Sequence, residues 1–325
     1  MKAIMQDAYG SADVLELREV ERPVPAADEV LIRVKAAGVN MADWHSMTGE
    51  PTFARLFLGV GGPKEKTRGS DVAGVVEEVG SAVTRFRVGD EVFGSARGSF
   101  AEFAVTRERR VVPKPESVPF VQAAAVSMTG YTALQALRAA GVVEGVEAGI
   151  RVLVVGAGGG VGSFAVQLAK HVGAHVTGVC STGKVELVRS LGADAVIDYT
   201  AEPVTGEFDV VIDIAGGRSL RESRRLLTPK GTLVIVGGEG GGRVFGLAGR
   251  SFGAPFLSMF SSQKLVGLFA TESADDLAAL AELLASGAIT PAIDRTFPLA
   301  EAPDAIRHLA AGRAAGKVVV AVSAP

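Results

Sequence analysis

Apolar and polar residues alternate through most of the first 120 positions of the chain, a pattern typical of half-buried β-strands. Turn-rich stretches, such as the one that contains Pro23 and Pro25, separate the alternating segments. The predicted strands lie at residues 2–6, 14–20, 29–37, 71–80, 90–94, 100–105 and 111–114. A series of short strands of this kind predicts an antiparallel, barrel-like β-domain. Residues 49–68 follow no regular period and are the least regular part of the chain.

The pattern changes near residue 121, where short apolar runs begin to alternate with segments of helical period. Helices are predicted at residues 121–126 and 131–140, with a break at 127–130 between them. Buried strands are predicted at residues 152–155, 175–180, 195–198, 208–215, 231–236 and 264–269, and further helices at 163–172, 184–191 and 275–286. Strands that alternate with helices predict a doubly wound parallel sheet, which is an α/β fold.

The C-terminal tail contains a predicted helix at 304–311 and a strand at 317–322, and this strand has no partner left in a six-stranded sheet. We therefore expect the tail to return to the first domain, which makes the second domain an insertion. The predicted domains are residues 1–122 together with 290–325, and residues 123–289. A chain of 325 residues is long enough for two domains of ordinary size.

One stretch, residues 151–163, combines a short branched apolar run with five glycines in seven positions and the start of a helix. The candidate phosphate-binding residues there are Gly156, Ala157, Gly158, Gly159, Gly160, Val161 and Gly162. Strand, glycine turn and helix in this order typically hold a dinucleotide pyrophosphate, because backbone N–H groups at the helix start can approach it closely. The G-x-G-x-x-G spacing is incomplete, since Ala157 stands at its first position. On its own the pattern also fits a tight turn without a ligand.

Composition narrows the possible partners and the compartment. With 48% hydrophobic and 21% charged residues the chain is typical of soluble globular proteins, and the net charge of −3 comes without a dense basic run, which argues against nucleic acid. No apolar stretch is long enough to predict a membrane span or a secretory leader. The single cysteine, Cys180, excludes an internal disulfide and a multi-cysteine zinc site, so we expect a cytoplasmic protein.

Several motifs together resemble one family. They lie at residues 36–40, 69–80, 88–94, 129–134, 165–170 and 316–320, and they span almost the whole chain in the family's order. The chain resembles the medium-chain dehydrogenase/reductase superfamily, and within it the zinc-free quinone oxidoreductase (zeta-crystallin-like) branch. The resemblance implies a GroES-like β-barrel catalytic domain and a Rossmann domain that binds a dinucleotide at the glycine turn. It also implies a homodimer, which we expect to pair through the edge strand at 264–269.

The positions that hold zinc in related alcohol dehydrogenases carry other residues in this chain. Asn40 replaces a cysteine ligand, Gly69-Ser70-Asp71 replaces the Gly-His-Glu ligand motif, and the third ligand position falls near Ala125. Zinc favours cysteine and histidine donors. We therefore expect no metal ion.

The second predicted strand of the Rossmann domain ends at Cys180, without the carboxylate that typically accepts a hydrogen bond from the NAD ribose. Ser181, Thr182 and Lys184 follow, and their hydroxyl and ammonium donors favour a 2′-phosphate and therefore NADPH. The resemblance assigns Lys184 and Tyr199 to that phosphate, although Lys184 also fits a solvated residue at a helix start. It places further cofactor contacts at Ser127, Thr129, Val236, Gly237, Gly238 and Lys317. The alternatives are helix capping for Ser127, a mobile loop for Gly237 and Gly238, and a structural role for Lys317.

The resemblance implies hydride transfer from NADPH to a small-molecule substrate, a quinone or an activated C=C bond such as an enone, without zinc. Negative charge then develops on the substrate oxygen, and Asn40 lies where the family keeps a substrate-side asparagine. Asp43 and His45 are further catalytic candidates on the same turn, although Asp43 also fits a structural role and His45 a surface position. Solvent is an alternative source of the proton. Two other functions stay open, a zinc-free NADP-dependent alcohol or aldehyde dehydrogenase and a non-catalytic NADPH-binding protein.

Overall fold

The computed structural model describes residues 1–147, 149–237 and 261–322. Contacts within the chain group Met1–Tyr131 with the part from Glu272 onward as a first compact unit, and Thr132–Thr271 as a second. The boundaries predicted from the sequence fall after residues 122 and 289 instead. The second boundary differs because the helix Ala274–Ala285 packs against the strand Val111–Pro113 of the first unit.

The strands and helices are numbered in chain order. The strands are β1 (Lys2–Gln6), β2 (Leu15–Glu19), β3 (Glu29–Val39), β4 (Asp71–Val79), β5 (Glu91–Ser95), β6 (Phe103–Arg107), β7 (Val111–Pro113), β8 (Arg151–Val155), β9 (His175–Cys180), β10 (Ala195–Asp198), β11 (Phe208–Asp213), β12 (Leu227–Ile235), β13 (Lys264–Gly267), β14 (Ile293–Pro298) and β15 (Lys317–Ala321). The α-helices are α1 (Met41–Thr48), α2 (Arg55–Leu58), α3 (Phe120–Ala123), α4 (Ser127–Ala140), α5 (Gly160–His171), α6 (Val185–Ser190), α7 (Leu220–Arg224), α8 (Ala274–Ala285) and α9 (Ala302–Ala310).

In the first unit, strand β3 lies at the centre of a seven-stranded sheet with the order β14-β15-β3-β4-β5-β7, and β6 also pairs with β3. The residues of β3 are largely buried, and its apolar side chains share one core with Val76 and Phe100. The C-terminal strand β15 pairs antiparallel with β3, with Val318 opposite Val39. The tail of the chain therefore returns to the first sheet, as the sequence predicts.

In the second unit, six parallel strands form a sheet with the order β10-β9-β8-β11-β12-β13. Branched apolar side chains such as Leu153, Val211 and Leu233 form its core. The strand order runs in opposite directions on the two sides of β8 and β11, and the carboxyl ends of strands at such a switch point typically bind ligands. The barrel-like β-unit and the parallel sheet confirm the predicted fold class.

Some local elements differ from the prediction. Helix α4 runs without interruption from Ser127, so the predicted break at 127–130 is wrong, and the turn precedes the helix at residues 124–126. Glycine is needed at position 130 of this helix because α8 packs closely against it, and a Cβ there would lie 2.9 Å from Leu280 Cδ1. Four elements were not predicted from the sequence: α1, α2, α7 and β14. Helices of eight, four and five residues and a mostly exposed strand have weak periodicity. Among the described residues, none of the helices is both long and apolar enough to cross a membrane.

Candidate active site

The glycine turn joins β8 to α5 at the switch point of the parallel sheet. Gly156 has a φ of +89°, a conformation that residues with a Cβ rarely adopt. At Gly162 a Cβ would lie 2.1 Å from the carbonyl oxygen of Gly156, so glycine is needed for the helix to approach the strand this closely. Ala157 is fully buried, and its N–H donates to Val179 O at 3.0 Å. Alanine therefore fits the first position of the incomplete glycine spacing.

Helix α5 presents its first backbone N–H groups at the end of this turn. Gly159 is the N-cap residue, and Ser163 N–H donates to Gly159 O at 2.9 Å in the first turn of the helix. The N–H groups of Gly160, Val161 and Gly162 come before that bond, so they have no acceptor within the helix. Because the N-cap has no side chain, a phosphate can approach these groups closely, and the helix dipole favours its negative charge.

Lys184 lies beside the same turn. Its side chain passes so close to Gly158 that a Cβ on this glycine would lie 2.7 Å from Lys184 Cβ and 2.9 Å from its Cδ. Gly158 thus leaves room for the aliphatic part of the lysine, which carries a cation to the edge of the glycine turn. Lys184 ends the 3-10 turn Thr182–Lys184, which follows β9. The structure therefore brings together two predicted cofactor elements, the glycine turn and Lys184.

A carboxylate lies at this edge of the sheet, although β9 itself ends without one. Asp198 is the last residue of β10 and stands opposite Cys180 in the parallel register. Its side chain accepts hydrogen bonds from Thr182 Oγ1 at 2.5 Å and from Thr200 N–H at 2.9 Å, and these hydrogen bonds lower its pKa. The Thr182 hydroxyl proton therefore goes to Asp198, whereas the sequence analysis expected it to go to a phosphate. The neighbouring Tyr199 is exposed.

Other predicted cofactor residues of the second unit lie at strand ends. Ser181 is the N-cap residue of the 3-10 turn after β9. Val236 follows β12, and its N–H donates to Asp213 O at 2.9 Å. Gly237 is the next residue, and Gly238 lies outside the described residues. Ser181 and Val236 thus lie at the carboxyl ends of parallel strands, the edge that the switch-point rule assigns to ligands.

Two predicted cofactor residues lie in the first unit, at the start of α4. Thr129 is buried, and its hydroxyl donates to Ala125 O at 2.8 Å, so its proton is used within the chain. Ser127 is the first residue of α4 and lines a cavity of about 430 Å³. The same cavity is lined by Arg110 and Glu272, whose side chains form an ion pair at 3.0 Å.

A buried group of charged and polar side chains lies where β3 leads into α1 in the first unit. Asn40 Nδ2 donates to Asp71 Oδ2 at 2.9 Å, and Lys317 Nζ donates to Asn40 Oδ1 at 2.6 Å. Lys317 also donates to Val39 O at 3.0 Å and lies 3.9 Å from Asp71 Oδ2. A carboxylate at one end of the amide and an ammonium at the other favour a single orientation of the amide group. We call Asn40, Asp43, Ser70, Asp71 and Lys317 the polar cluster.

The carboxylates of the polar cluster accept further hydrogen bonds. Asp43 Oδ2 accepts from Asn40 N–H at 2.8 Å, and Ser70 Oγ lies 3.4 Å from Asp43 Oδ1. Asp71 Oδ1 accepts from Met128 N–H at 3.2 Å, which joins β4 to the start of α4. Both aspartates therefore hold elements of the first unit together.

Burial changes the acidity of these groups. Burial raises the pKa of Asp43 from its usual 3.8 to about 7, and the neighbouring Asp71 carboxylate adds to the rise. Burial also raises the pKa of Asp71 to about 6, against the opposing effect of Lys317. The pKa of Lys317 is lowered by burial. The polar cluster can therefore take up or release a proton near neutral pH.

The structure separates the three catalytic candidates predicted from the sequence. Asn40 and Asp43 are both buried in the polar cluster. His45 is exposed, and its Nδ1 lies 2.7 Å from Glu50 O. Lys317, predicted as a cofactor contact, is buried against Asn40 instead, and these contacts favour the structural alternative.

Three further residues, Ser70, Asp71 and Asp198, were not predicted as site residues from the sequence. Ser70 and Asp71 occupy the positions of the zinc-ligand motif, so the motif comparison itself could have identified them. Asp198 ends β10, whereas the carboxylate that contacts the NAD ribose is expected at the end of the neighbouring strand β9. Among the described residues, no three His, Cys, Asp or Glu side chains lie close enough together to hold a metal ion.

Comparisons with known proteins match both parts of this architecture. The model of the alcohol dehydrogenase GroES-like domain matches residues 26–116, and the model of the zinc-binding dehydrogenase family matches residues 191–320. The chloroplast envelope quinone oxidoreductase homolog of Arabidopsis thaliana is 34% identical, over 98% of this chain and 98% of its own length. The chloroplastic NADPH-dependent alkenal/one oxidoreductase of Arabidopsis thaliana is 35% identical, over 98% of this chain and 79% of its own length.

The likeness extends to solved structures. The structure of the quinone oxidoreductase from Coxiella burnetii matches with a TM-score of 0.85 and 29% identity, and the match covers 99% of each chain. Identity above 30% over nearly the full length of a relative, together with this agreement in structure, shows the family. The chain belongs to the medium-chain dehydrogenase/reductase superfamily of oxidoreductase enzymes, in its quinone oxidoreductase branch.

Proposed function

We propose that this enzyme uses NADPH to reduce a quinone or an activated C=C bond such as that of an enone. The observation that carries the proposal is the phosphate cradle at the start of α5, with Lys184 held across Gly158. Two relatives support it, since one is a quinone oxidoreductase homolog and the other an NADPH-dependent alkenal/one oxidoreductase.

The residues present fit a dinucleotide. The N–H groups of Gly160, Val161 and Gly162 would hold the pyrophosphate, and Ser181, Lys184 and Tyr199 would hold the 2′-phosphate. When bound, NADPH supplies a hydride. Lys184 favours NADPH over NADH, whereas the negative charge of Asp198 beside Thr182 opposes a 2′-phosphate. Because Lys184 reaches the glycine turn itself, we propose NADPH as the preferred cofactor.

We propose that catalysis needs no zinc. At the ligand positions, Asn40 Oδ1 accepts a hydrogen bond from Lys317 Nζ, and Asp71 lies near the same ammonium group. The Lys317 ammonium group therefore occupies the oxygens that would otherwise bind a metal cation. In addition, the ligand positions carry Asn40, Ser70 and Asp71 in place of the cysteine and histidine that zinc favours. Metal analysis of the purified enzyme tests this, and activity that disappears with a chelator and returns with zinc would contradict it.

We propose that Asn40 donates a hydrogen bond to the substrate oxygen. Its Nδ2 carries two N–H groups, and one is used by Asp71. Lys317 and Asp71 fix the amide plane, so the second N–H has a defined direction. None of the described side chains stands out as the proton donor, and we propose that water protonates the reduced substrate. Asn40→Ala should lower kcat by about 100-fold without changing the Kd for NADPH.

NADPH oxidation by the purified enzyme tests the function directly. The acceptors are 1,4-benzoquinone and a simple enone, and cofactor binding is measured in parallel by NADPH fluorescence. We expect turnover with at least one acceptor. Tight NADPH binding without turnover of either acceptor would refute the proposal, and alcohol-driven reduction of NADP would favour the dehydrogenase alternative.

We also propose a homodimer that pairs through β13. Within the described residues β13 is an outer strand of the parallel sheet and pairs with no strand other than β12. An unpaired strand edge of this kind is suited to pairing with a second copy. Light scattering of the purified protein should give twice the chain mass of 33.4 kDa, and the mass of a single chain would refute the dimer.

A further inference from the structure

Arg68 is a buried arginine whose guanidinium group has no polar partner among the described residues. Only 5% of the residue is exposed, and its Nε is enclosed without a hydrogen bond. In the part of the chain that the structure describes, the guanidinium forms neither a hydrogen bond nor an ion pair. Its backbone is fixed on two sides, since its N–H donates to Ile4 O at 3.1 Å and its carbonyl accepts from Phe100 N–H at 2.9 Å. Arg68 is therefore held firmly in the first unit.

The charged and titratable neighbours of Arg68 already have other partners. Burial lowers the pKa of Arg68, and Asp43, Glu65 and Tyr9 act in the opposite direction. Asp43 Oδ2 accepts from Asn40 N–H at 2.8 Å. Glu65 lies 3.8 Å from a guanidinium nitrogen of Arg97, and the Tyr9 hydroxyl donates to Gly59 O at 2.8 Å.

An arginine in this state is suited to bind oxygen atoms of a ligand. The guanidinium stays protonated and carries five N–H donors in a plane. Burial removes water from Nε, and leaving this donor without an acceptor is unfavourable. Carboxylate, enolate and phenolate oxygens are the acceptors that this planar group binds best. Since the neighbouring side chains that the structure describes are bonded elsewhere, the guanidinium is available to an acceptor on a ligand.

We propose that Arg68 binds the anionic oxygen that the substrate develops during reduction. The proposal rests on the proposed function and extends it, because it assigns the stabilising positive charge to a residue outside the catalytic candidates. Arg68 stands two residues before Ser70 and shares the neighbour Asp43 with Asn40. It therefore belongs to the surroundings of the polar cluster.

The chemistry is as follows for an enone. NADPH would supply the hydride and leave as NADP, and the hydride forms a C–H bond at the β-carbon. The C=C electron pair then forms a double bond to the carbonyl carbon, and the carbonyl π pair moves to the oxygen, which becomes an enolate oxygen. Arg68 donates to this oxygen until a proton from water adds to the α-carbon, which re-forms the carbonyl and leaves hydroxide. Because the charge is absent from the bound substrate, the arginine stabilises the transition state more than the ground state.

Two measurements test this role, with Arg68→Met as the variant and Arg97→Met as the matched control. Arg97 is an exposed arginine that neighbours the same Glu65. The first measurement uses 4-nitrophenol, whose yellow anion carries an anionic oxygen, bound to the enzyme at neutral pH. We expect the wild type to bind the anion and to lower the apparent pKa of the bound phenol, and Arg68→Met to bind the anion about 10-fold or more weakly. Arg97→Met should behave like the wild type.

The second measurement is the steady-state kinetics of NADPH oxidation with an enone. Arg68→Met should lower kcat by about 100-fold and leave the Kd for NADPH unchanged. Arg68→Lys, which keeps the charge but loses the planar pair of donors, should recover part of kcat and part of the anion binding. If Arg68→Met does not fold, Arg68→Lys is the test. Wild-type kcat and wild-type nitrophenolate binding in Arg68→Lys would then overturn the proposal.

The outcomes separate this proposal from the proposed function. Unchanged nitrophenolate binding in Arg68→Met, or a loss of stability alone, would show a structural role and overturn the proposal. A wild type that reduces neither quinone nor enone, but binds nitrophenolate through Arg68, would refute the function and retain the anion site.

Discussion

Replacing Asp43 with asparagine removes one buried carboxyl group and keeps its shape. An amide at this position retains an oxygen that accepts from Asn40 N–H, and its nitrogen can donate to Ser70 Oγ. The variant therefore changes the charge of the polar cluster with little change in its hydrogen bonds. It should make the free energy of unfolding depend less on pH.

The magnitude follows from the pKa of Asp43, which burial raises from 3.8 to about 7. The folded protein binds this proton more tightly than the unfolded chain, so the contribution to stability is complete below pH 3.8 and is lost as the pH rises through about 7. A shift of this size corresponds to a contribution on the order of 4 kcal/mol. From pH 5 to pH 8 the free energy of unfolding of the wild type should therefore fall by about 2 to 3 kcal/mol more than that of Asp43→Asn.

The measurement is urea unfolding at several pH values, followed by tryptophan fluorescence. The chain has one tryptophan, and Trp44 packs against the apolar core of the first unit, next to Asp43. The fluorescence therefore reports on the unit that contains the substitution. Asp275→Asn, which changes an exposed aspartate in α8, is the matched control and should follow the wild type at every pH. A constant difference between wild type and Asp43→Asn from pH 5 to pH 8 would refute the reasoning.

Three further predictions concern the cofactor site and the polar cluster. Gly162→Ala should destabilise the enzyme, because the new Cβ would lie 2.1 Å from Gly156 O. In Gly159→Ala the new Cβ would lie 3.5 Å from the same atom, so this variant should keep the wild-type urea midpoint but bind NADPH more weakly. Equal urea midpoints for the two variants would contradict this. Asp198→Asn should tighten NADPH binding about three- to tenfold and leave NADH binding unchanged, as measured by fluorescence titration; equal changes for both cofactors would contradict a charge effect. Lys317→Met leaves a buried carboxylate without its cation and should lower the unfolding free energy by about 3 to 5 kcal/mol in urea titrations; a wild-type midpoint would show that the ammonium is dispensable.

Much of the fold could be predicted from the sequence because most strands of the parallel sheet are distinct apolar runs with helical segments between them. Residues 175–180 and 195–198 are apolar runs that became β9 and β10 with the predicted bounds. The return of β15 to β3 followed from a strand without a partner. By contrast, β14 is mostly exposed and has no strong period, so only its pairing with β15 identifies it.

The polar cluster could not be predicted because its members are far apart in the chain. Asn40 and Lys317 are separated by 277 positions, and their contact depends on the pairing of β3 with β15. Burial also determines what these residues do, since the same lysine at the surface would be an ordinary cation. The position of Asp198 beside Thr182 has a similar cause, because it depends on the register between β9 and β10.

If catalysis needs no zinc, as we propose, the Lys317 ammonium group in place of a metal also limits which substrates the enzyme can reduce. An ammonium group can balance the charge of Asp71, and it lies 3.9 Å from that carboxylate. It has no open coordination position, however, so it cannot bind and polarise an alcohol or carbonyl oxygen as catalytic zinc does. Reduction then requires an acceptor that is already electron-poor, or another cation at the oxygen. Quinones and enones meet the first condition, and Arg68 meets the second. A simple ketone that reacts in Arg68→Met as fast as in the wild type would contradict this argument.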